Sequence, residues 1–210
     1  MPSLLVARLR AGDTLLVATT NLGKIREIRD ILDDLPVRLV TLSDLSLAIP
    51  APDETGQTFA ANAAIKALAY ARASGLPTVA EDSGLVIDPL GGRPGVESAR
   101  YPGRDYPERF LNLYRELALH PRPWTARFVC SLAFVPLPAP GQPFVVAFRT
   151  EATVDGEISA SPRGEHGFGY DPIFFYPPYG STLGEVDAVR KLAVAHRGKA
   201  FRTFRQWLGA

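Results

Sequence analysis

Apolar positions run without a break from Leu15 to Ala18, inside a segment Thr14 to Thr20 that ends at the turn residues Asn21 and Gly23. A short continuous apolar run of this kind predicts a buried strand. The period then changes. Leu22, Ile25, Ile28 and Leu32 recur at helical spacing with Lys24, Arg26, Glu27 and Arg29 between them, which predicts an amphipathic helix. Val37 to Leu42 reads as a second strand, and residues 43 to 56 as a polar, Pro-containing loop ending in Asp53-Glu54-Thr55-Gly56. The next helix carries the plainest pattern. Ala60, Ala63, Ala64, Ala67, Leu68 and Ala71 follow the i, i+3, i+4, i+7 rule, and Gly75 stands where a C-cap belongs. Asn62 and Lys66, four residues apart, fall on one face of it.

Pro77 to Ala80 reads as a short strand leading into Glu81-Asp82-Ser83-Gly84. A Gly/Pro-rich stretch follows from Pro89 to Pro107, then a third helix over 107 to 119. The middle of the chain turns to strands: Ala126 to Val135 and Phe144 to Val154, linked by Pro136 to Pro143, predict a hairpin. A glycine-rich segment, Gly164 to Pro172, leads into the apolar run Ile173 to Phe175. The C-terminal segment predicts a helix with Phe201, Phe204, Trp207 and Leu208 on one face. No shift of composition marks a linker. The pattern predicts one α/β unit over residues 14 to 210, with room for two lobes and a cleft, after an N-terminal extension over residues 1 to 13.

Composition narrows the classes. Of 210 residues, 46% are hydrophobic and 21% charged, the balance of a globular protein with an ample core. A net charge of +1 supplies no global basic field, which argues against nucleic acid or a membrane surface as partner. Attraction for a polyanion must come from local basic groups. Cys130 is the single cysteine, so an intramolecular disulfide is impossible and a reducing cytoplasm fits. The apolar run Leu4 to Val6 is too short for a signal-peptide core, and no uncharged run approaches membrane-spanning length.

Four segments can carry chemistry. In Thr19-Thr20-Asn21-Leu22-Gly23-Lys24 a strand ends and a helix begins, and helix N-terminal amides bind anions well. Lys24 sits against its own helix dipole, as if a bound anion compensated it. An Asn-capped helix with a solvated lysine is equally consistent with the pattern. The spacing is not that of a Walker A loop. Glu81-Asp82-Ser83-Gly84, with Glu54 on an earlier loop, offers carboxylates suited to a hard cation or to a general base. Taken alone, Asp-Ser-Gly is more often a turn. In Gly167-Phe168-Gly169-Tyr170-Asp171-Pro172 the glycines allow close approach of a ligand, and the aromatic rings can stack on a planar base. A β-turn with core aromatics reads the same way. Lys191 and His196-Arg197 are candidates for phosphate or base contacts, or a basic, solvated helix end.

Each segment is weak by itself; their order is specific. Thr19 to Lys24, Glu54 to Phe59, Asn62, Lys66, Asp82 to Leu85, Gly91 to Gly95, Gly167 to Pro172, Lys191 and His196-Arg197 together resemble the non-standard purine nucleoside triphosphate pyrophosphatases, the inosine triphosphatase family. The resemblance runs from Leu15 to Trp207. It implies an elongated α/β fold, a long mixed sheet with flanking helices, and two lobes around a central substrate groove. It also implies a homodimer that needs Mg2+ and converts inosine, deoxyinosine and xanthosine triphosphates to monophosphate and pyrophosphate. The carried-over roles follow the matching residues. Thr19, Thr20, Asn21, Leu22, Gly23, Lys24 and Lys66 bind phosphates. Glu54 and Asp82 hold magnesium, and Asp82 is also the base that activates water. Ser83 contacts substrate, and Phe168, Gly169, Tyr170 and Asp171 line the base pocket with Lys191, His196 and Arg197. Two departures stand out: Glu81 where many relatives have Asp, and Ala195 where Ser often precedes the His-Arg pair. The alternatives are a Maf-like hydrolase, against which Gly167 to Pro172 and the His-Arg pair argue, and a nucleotide-binding regulator, which would not need a water-activating carboxylate.

Overall fold

The computed structural model describes residues 9–209. Most of the expected N-terminal extension therefore lies outside the described residues. Its end is tied down: the Arg10 amide donates to Asp13 Oδ2 at 2.7 Å, and the Gly12 amide to the Pro36 carbonyl at 2.8 Å.

The elements follow in the order β1 (Thr14–Val17), α1 (Leu22–Leu32), β2 (Arg38–Thr41), α2 (Phe59–Ser74), β3 (Thr78–Ile87), α3 (Tyr106–Leu117), β4 (Thr125–Val135), β5 (Phe148–Ile158), β6 (Phe174–Tyr176), β7 (Ser181–Thr182), α4 (Ala188–Val194) and α5 (His196–Leu208). The strands form one mixed sheet of seven, in the order β2-β1-β3-β4-β5-β6-β7. β1 runs parallel to β2 and β3, and β6 runs antiparallel to β5 and β7. The α/β class and the mixed sheet with flanking helices agree with expectation.

The chain divides into two compact units. One comprises the described residues up to Asp82 with Ser131–Glu151 and the chain from Ala200; the other comprises Ser83–Cys130 and Ala152–Lys199. In the first unit Ala63, Ala64, Ala67, Tyr70 and Ala71 of α2 pack on Leu16, Val40, Ala80, Ala133 and Val135. Alanines on that face let the helix lie close to the sheet. Thr58 caps α2 by accepting from the Ala61 amide, and Gly75 ends it in the left-handed region at φ +66°. In the second unit Phe110, Leu113 and Leu117 of α3 pack with Leu85, Ile87, Trp124, Phe128, Ile158 and Phe174.

Four expectations differ from the structure. The second long strand is β5, Phe148–Ile158, four residues later at each end than the expected Phe144 to Val154. β3 does not stop at Ala80; it continues through Glu81, Asp82, Ser83 and Gly84 to Ile87, so Asp-Ser-Gly is strand and not turn. Leu22 is not part of the buried stripe of α1; it is 71% exposed at the first helical position. Lys191 lies in α4, an unforeseen short helix capped by Asp187, and His196-Arg197 opens α5 instead of closing a helix.

Candidate active site

β3 is a buried strand that carries two adjacent carboxylates, and this is the feature that organises the first unit. Glu81 is 2% and Asp82 7% exposed. Ionised carboxylates at that depth need partners. Glu81 Oε1 lies 2.7 Å from Lys24 Nζ. Asp82 Oδ1 lies 2.9 Å from Lys66 Nζ, and Asp82 Oδ2 accepts from Asn62 Nδ2 at 3.3 Å. Lys66 Nζ also reaches Glu54 Oε2 at 3.0 Å. Asn62 is itself fixed, because its Oδ1 accepts from the Gly56 amide at 2.8 Å. A Cβ on Gly56 would stand 2.5 Å from that same oxygen, so only glycine fits there.

Adjacent strand residues alternate faces. Glu81 and Asp82 accordingly take different lysines, Lys24 from the first turn of α1 and Lys66 from the middle of α2. Asn21 caps α1: its side chain accepts from the Lys24 amide at 3.1 Å, while its own amide donates to Thr19 Oγ1 at 3.2 Å. The first amides of a helix have no intrahelical acceptor, and no acidic side chain occupies this first turn. Thr20, Asn21 and Leu22 are exposed there, with Thr19, Gly23 and Lys24 partly so. The turn thus presents amide donors to solvent, with the Lys24 ammonium beside them on Glu81, a geometry for phosphate oxygens.

Burial pushes the Asp82 carboxyl above its usual range; Lys66 opposes this only in part, and Glu81 adds to it. Burial alone would lower Lys66, but Asp82, Glu81 and Glu54 outweigh it and raise the ammonium's pKa. The two partners therefore have pKa values moved in the same direction. The lysine is firmly charged and the aspartate is a stronger base than one in water.

Among the described residues no group of three or more His, Cys, Asp or Glu side chains is arranged to hold a metal by itself. Magnesium does not require one. It takes one or two carboxylates and fills its remaining positions with water and phosphate oxygens. Glu54 and Asp82, both turned to one cationic centre, fit that requirement.

The second unit gathers the remaining candidates around Phe168 and Asp171. Asp171 is 2% exposed and accepts from the Phe168 amide at 2.7 Å. Lys191, 4% exposed, forms an ion pair with the same carboxylate, and its ammonium lies 4.5 Å from the centre of the Phe168 ring. The Arg197 guanidinium stands 5.5 Å from that ring, and its Nη2 donates to Ser83 Oγ at 2.9 Å. His196 stacks on Phe128 with centroids 4.9 Å apart. Lys191, His196 and Arg197 are thus buried and not a solvated helix end. Gly167, at φ +74°, is required because a Cβ there would meet Asp171 Oδ2 at 2.2 Å. Gly169 leaves the backbone open beside Tyr106.

Tyr170 is placed differently from its neighbours. Its ring lies edge-on to Tyr106 at 5.4 Å, and its hydroxyl donates to the Ser98 carbonyl at 2.8 Å. This side chain anchors the glycine-rich turn to the core. Phe128 was not among the sequence candidates, and Gly56, inside the Glu54 to Phe59 stretch, was given no role of its own. Phe128 looks like any apolar residue of a buried strand, and nothing in the pattern marks it as the support of His196.

Relatives extend over nearly the whole chain. A dITP/XTP pyrophosphatase of Geobacillus kaustophilus is 45% identical over 199 residues, which cover 92% of this chain and 93% of that protein. A dITP/XTP pyrophosphatase of Thermus thermophilus is 43% identical, covering 91% and 89%. Among solved structures, a HAM1 protein from Coxiella burnetii matches with a TM-score of 0.82 at 36% identity, covering 94% of this chain and 98% of that one. The matched residues 15–207 contain the whole carboxylate–lysine cluster and the whole Phe168–Asp171 turn, and by that match to the Ham1 family model the chain belongs to the Ham1 family.

Proposed function

We propose that this protein hydrolyses non-standard purine nucleoside triphosphates, ITP, dITP and XTP, to the monophosphate and pyrophosphate, and so clears them from the nucleotide pool. The observation that carries the reading is the Glu54–Lys66–Asp82 cluster, in a chain 45% identical to a dITP/XTP pyrophosphatase. Phosphate handling falls to residues of the first unit. The α1 amides, Lys24 and Lys66 supply positive charge to a triphosphate without a globally basic protein. Asp82 takes a proton from water as its oxygen attacks the α-phosphorus, and the bond from that phosphorus to the bridging oxygen breaks to release pyrophosphate. A carboxylate with a raised pKa suits this task. Glu54 and Asp82 would hold Mg2+, which when bound neutralises charge on the transferring phosphoryl group.

Base recognition falls to the second unit. Lys191 is donor-only, and it is held by Asp171, whose carboxylate in turn accepts from the Phe168 amide. Its donors match a 6-oxo group and clash with the 6-amino group of adenine. An unmatched buried polar group costs roughly 1–3 kcal/mol, so two or three such mismatches build large discrimination. Phe168 supplies a face for stacking. The working form is a homodimer in the cytoplasm; size-exclusion chromatography with light scattering should give twice the chain mass. No helix among the described residues is long and apolar enough to cross a membrane.

Pyrophosphate release across a nucleotide panel with Mg2+ tests the substrate assignment. ITP, dITP and XTP should be turned over at least about 30-fold faster than ATP at equal concentration, the lower end of the ratio expected from two unmatched polar groups. Equal turnover of ATP overturns the purine-sanitising reading.

A further inference from the structure

Lys66 stands where binding of a phosphate alone would not require it. Its Nζ is 3.0 Å from Glu54 Oε2 and 2.9 Å from Asp82 Oδ1, the two side chains assigned to the metal. The lysine side chain is 13% exposed and that of Asp82 10%. A lysine ammonium is a compact, strongly hydrated point charge with three donors. Between two carboxylate oxygens it does what a hard cation does: it neutralises them and fixes their orientation. The remaining Asp82 oxygen is held by Asn62, which Gly56 holds in turn. The carboxylate pair is therefore already assembled and already filled by the chain's own cation.

Charge sets the terms on which a metal can enter. Glu54, Glu81 and Asp82 carry three negative charges, and Lys24 and Lys66 two positive ones, within one set of ion pairs. These five groups sum to one net negative charge. A divalent cation arriving alone would overshoot neutrality while Lys66 remained, and would compete with an ammonium already seated on both ligands. A divalent cation arriving with a triphosphate brings several negative charges, which give the ammonium a new partner as the metal takes its place.

We propose that Lys66 is a built-in stand-in for the metal: it occupies the Glu54–Asp82 pair in the metal-free protein, suppresses binding of free divalent cations, and makes metal binding conditional on a polyphosphate. The inference rests on the reading of Glu54 and Asp82 as metal ligands. Because coupling is reciprocal, the same lysine makes polyphosphate binding depend on the metal.

The test is Mn2+ binding without nucleotide, read by the electron paramagnetic resonance signal of free Mn2+. The unaltered protein should bind Mn2+ weakly. Lys66→Met should bind Mn2+ about tenfold tighter or more, a factor within the usual range of coupling between sites. Lys66→Gln, which keeps hydrogen-bonding capacity and loses the charge, should show the same gain, and covers the case in which the methionine variant does not fold. Lys66→Arg keeps the charge and should bind as weakly as the unaltered protein; a merely structural lysine would not separate the two neutral variants from the charged one. Unchanged or weaker Mn2+ binding in a folded neutral variant overturns the proposal. The double variant Glu54→Gln/Lys66→Gln separates the two layers of the argument. Loss of the gain supports both, whereas a retained gain places the metal elsewhere and overturns the ligand assignment instead.

Discussion

Burial raises the pKa of Asp82 above the usual carboxylate value of 3.8, and the ammonium of Lys66 offsets this only in part. A raised value means that the folded protein binds the proton more tightly than the unfolded chain does. Stability therefore falls as pH rises from 3.8 through the raised folded value, and the ionised carboxylate is a net cost at neutral pH. The same ionised form is the one that can accept a proton from water. Asp82→Asn removes both the cost and the base. Turnover should fall by about 10²- to 10⁴-fold, the usual worth of a general base. Thermal denaturation should show stability within about 1 kcal/mol of the unaltered protein, since the lost ion pair and the lost desolvation cost oppose each other. Near-normal pyrophosphate release would refute the assignment. In the unaltered enzyme kcat/KM should fall on acidification through a pKa above the usual carboxylate range, and that limb should be missing from the residual activity of the variant.

The elements that carry Asp82 and Arg197 are the ones whose sequence pattern misleads. β3 reads as a strand only to Ala80, because Glu81-Asp82 followed by Ser83-Gly84 has the composition of a turn. The chain stays extended because each carboxylate meets its own lysine, and those lysines come from α1 and α2, well away in sequence. Local pattern carries no record of such partners. α4 was missed for a simpler reason: seven residues hold too few turns to show a period. By contrast α2, α3 and the aromatic face of α5 were legible, since burial of one face imposes a period that needs no distant partner. The face of α5 can be tested. Phe204 is fully buried, with ring centroids 5.2 Å from Phe134 and 5.6 Å from Phe148. Phe204→Ala should cost about 3–5 kcal/mol in urea unfolding, because the cavity cannot close among rigid rings. Leu119→Ala, at a site 85% exposed, should change stability by less than about 0.5 kcal/mol. A loss at Phe204 no larger than at Leu119 would mean that this face does not hold the helix.

At the scale of the whole molecule, the proposed Mg2+ would serve the reaction and not the fold. Small metal-dependent domains are unfolded without their ion, because binding free energy is folding free energy. The opposite is expected here. Each unit has its own apolar core, built on α2 in one and on α3 in the other. Among the described residues no cluster of three or more ligating side chains stands ready for an ion. The buried carboxylates already have partners in Lys24, Lys66 and Asn62, so removing a metal leaves no buried charge exposed to an apolar surrounding. EDTA should therefore abolish pyrophosphate release and leave the melting temperature within about 2 °C, and excess Mg2+ should restore the activity in full. Mg2+ added without nucleotide should also shift the melting temperature little, since a weakly bound ligand stabilises only as its concentration exceeds its Kd. Mg2+ together with a slowly hydrolysed ITP analogue should raise it by several degrees, roughly the effect of 1–2 kcal/mol on a chain of this size. A large fall in melting temperature on EDTA alone would show that the ion is structural, and that the lysine–carboxylate cluster is not the resting state of the site.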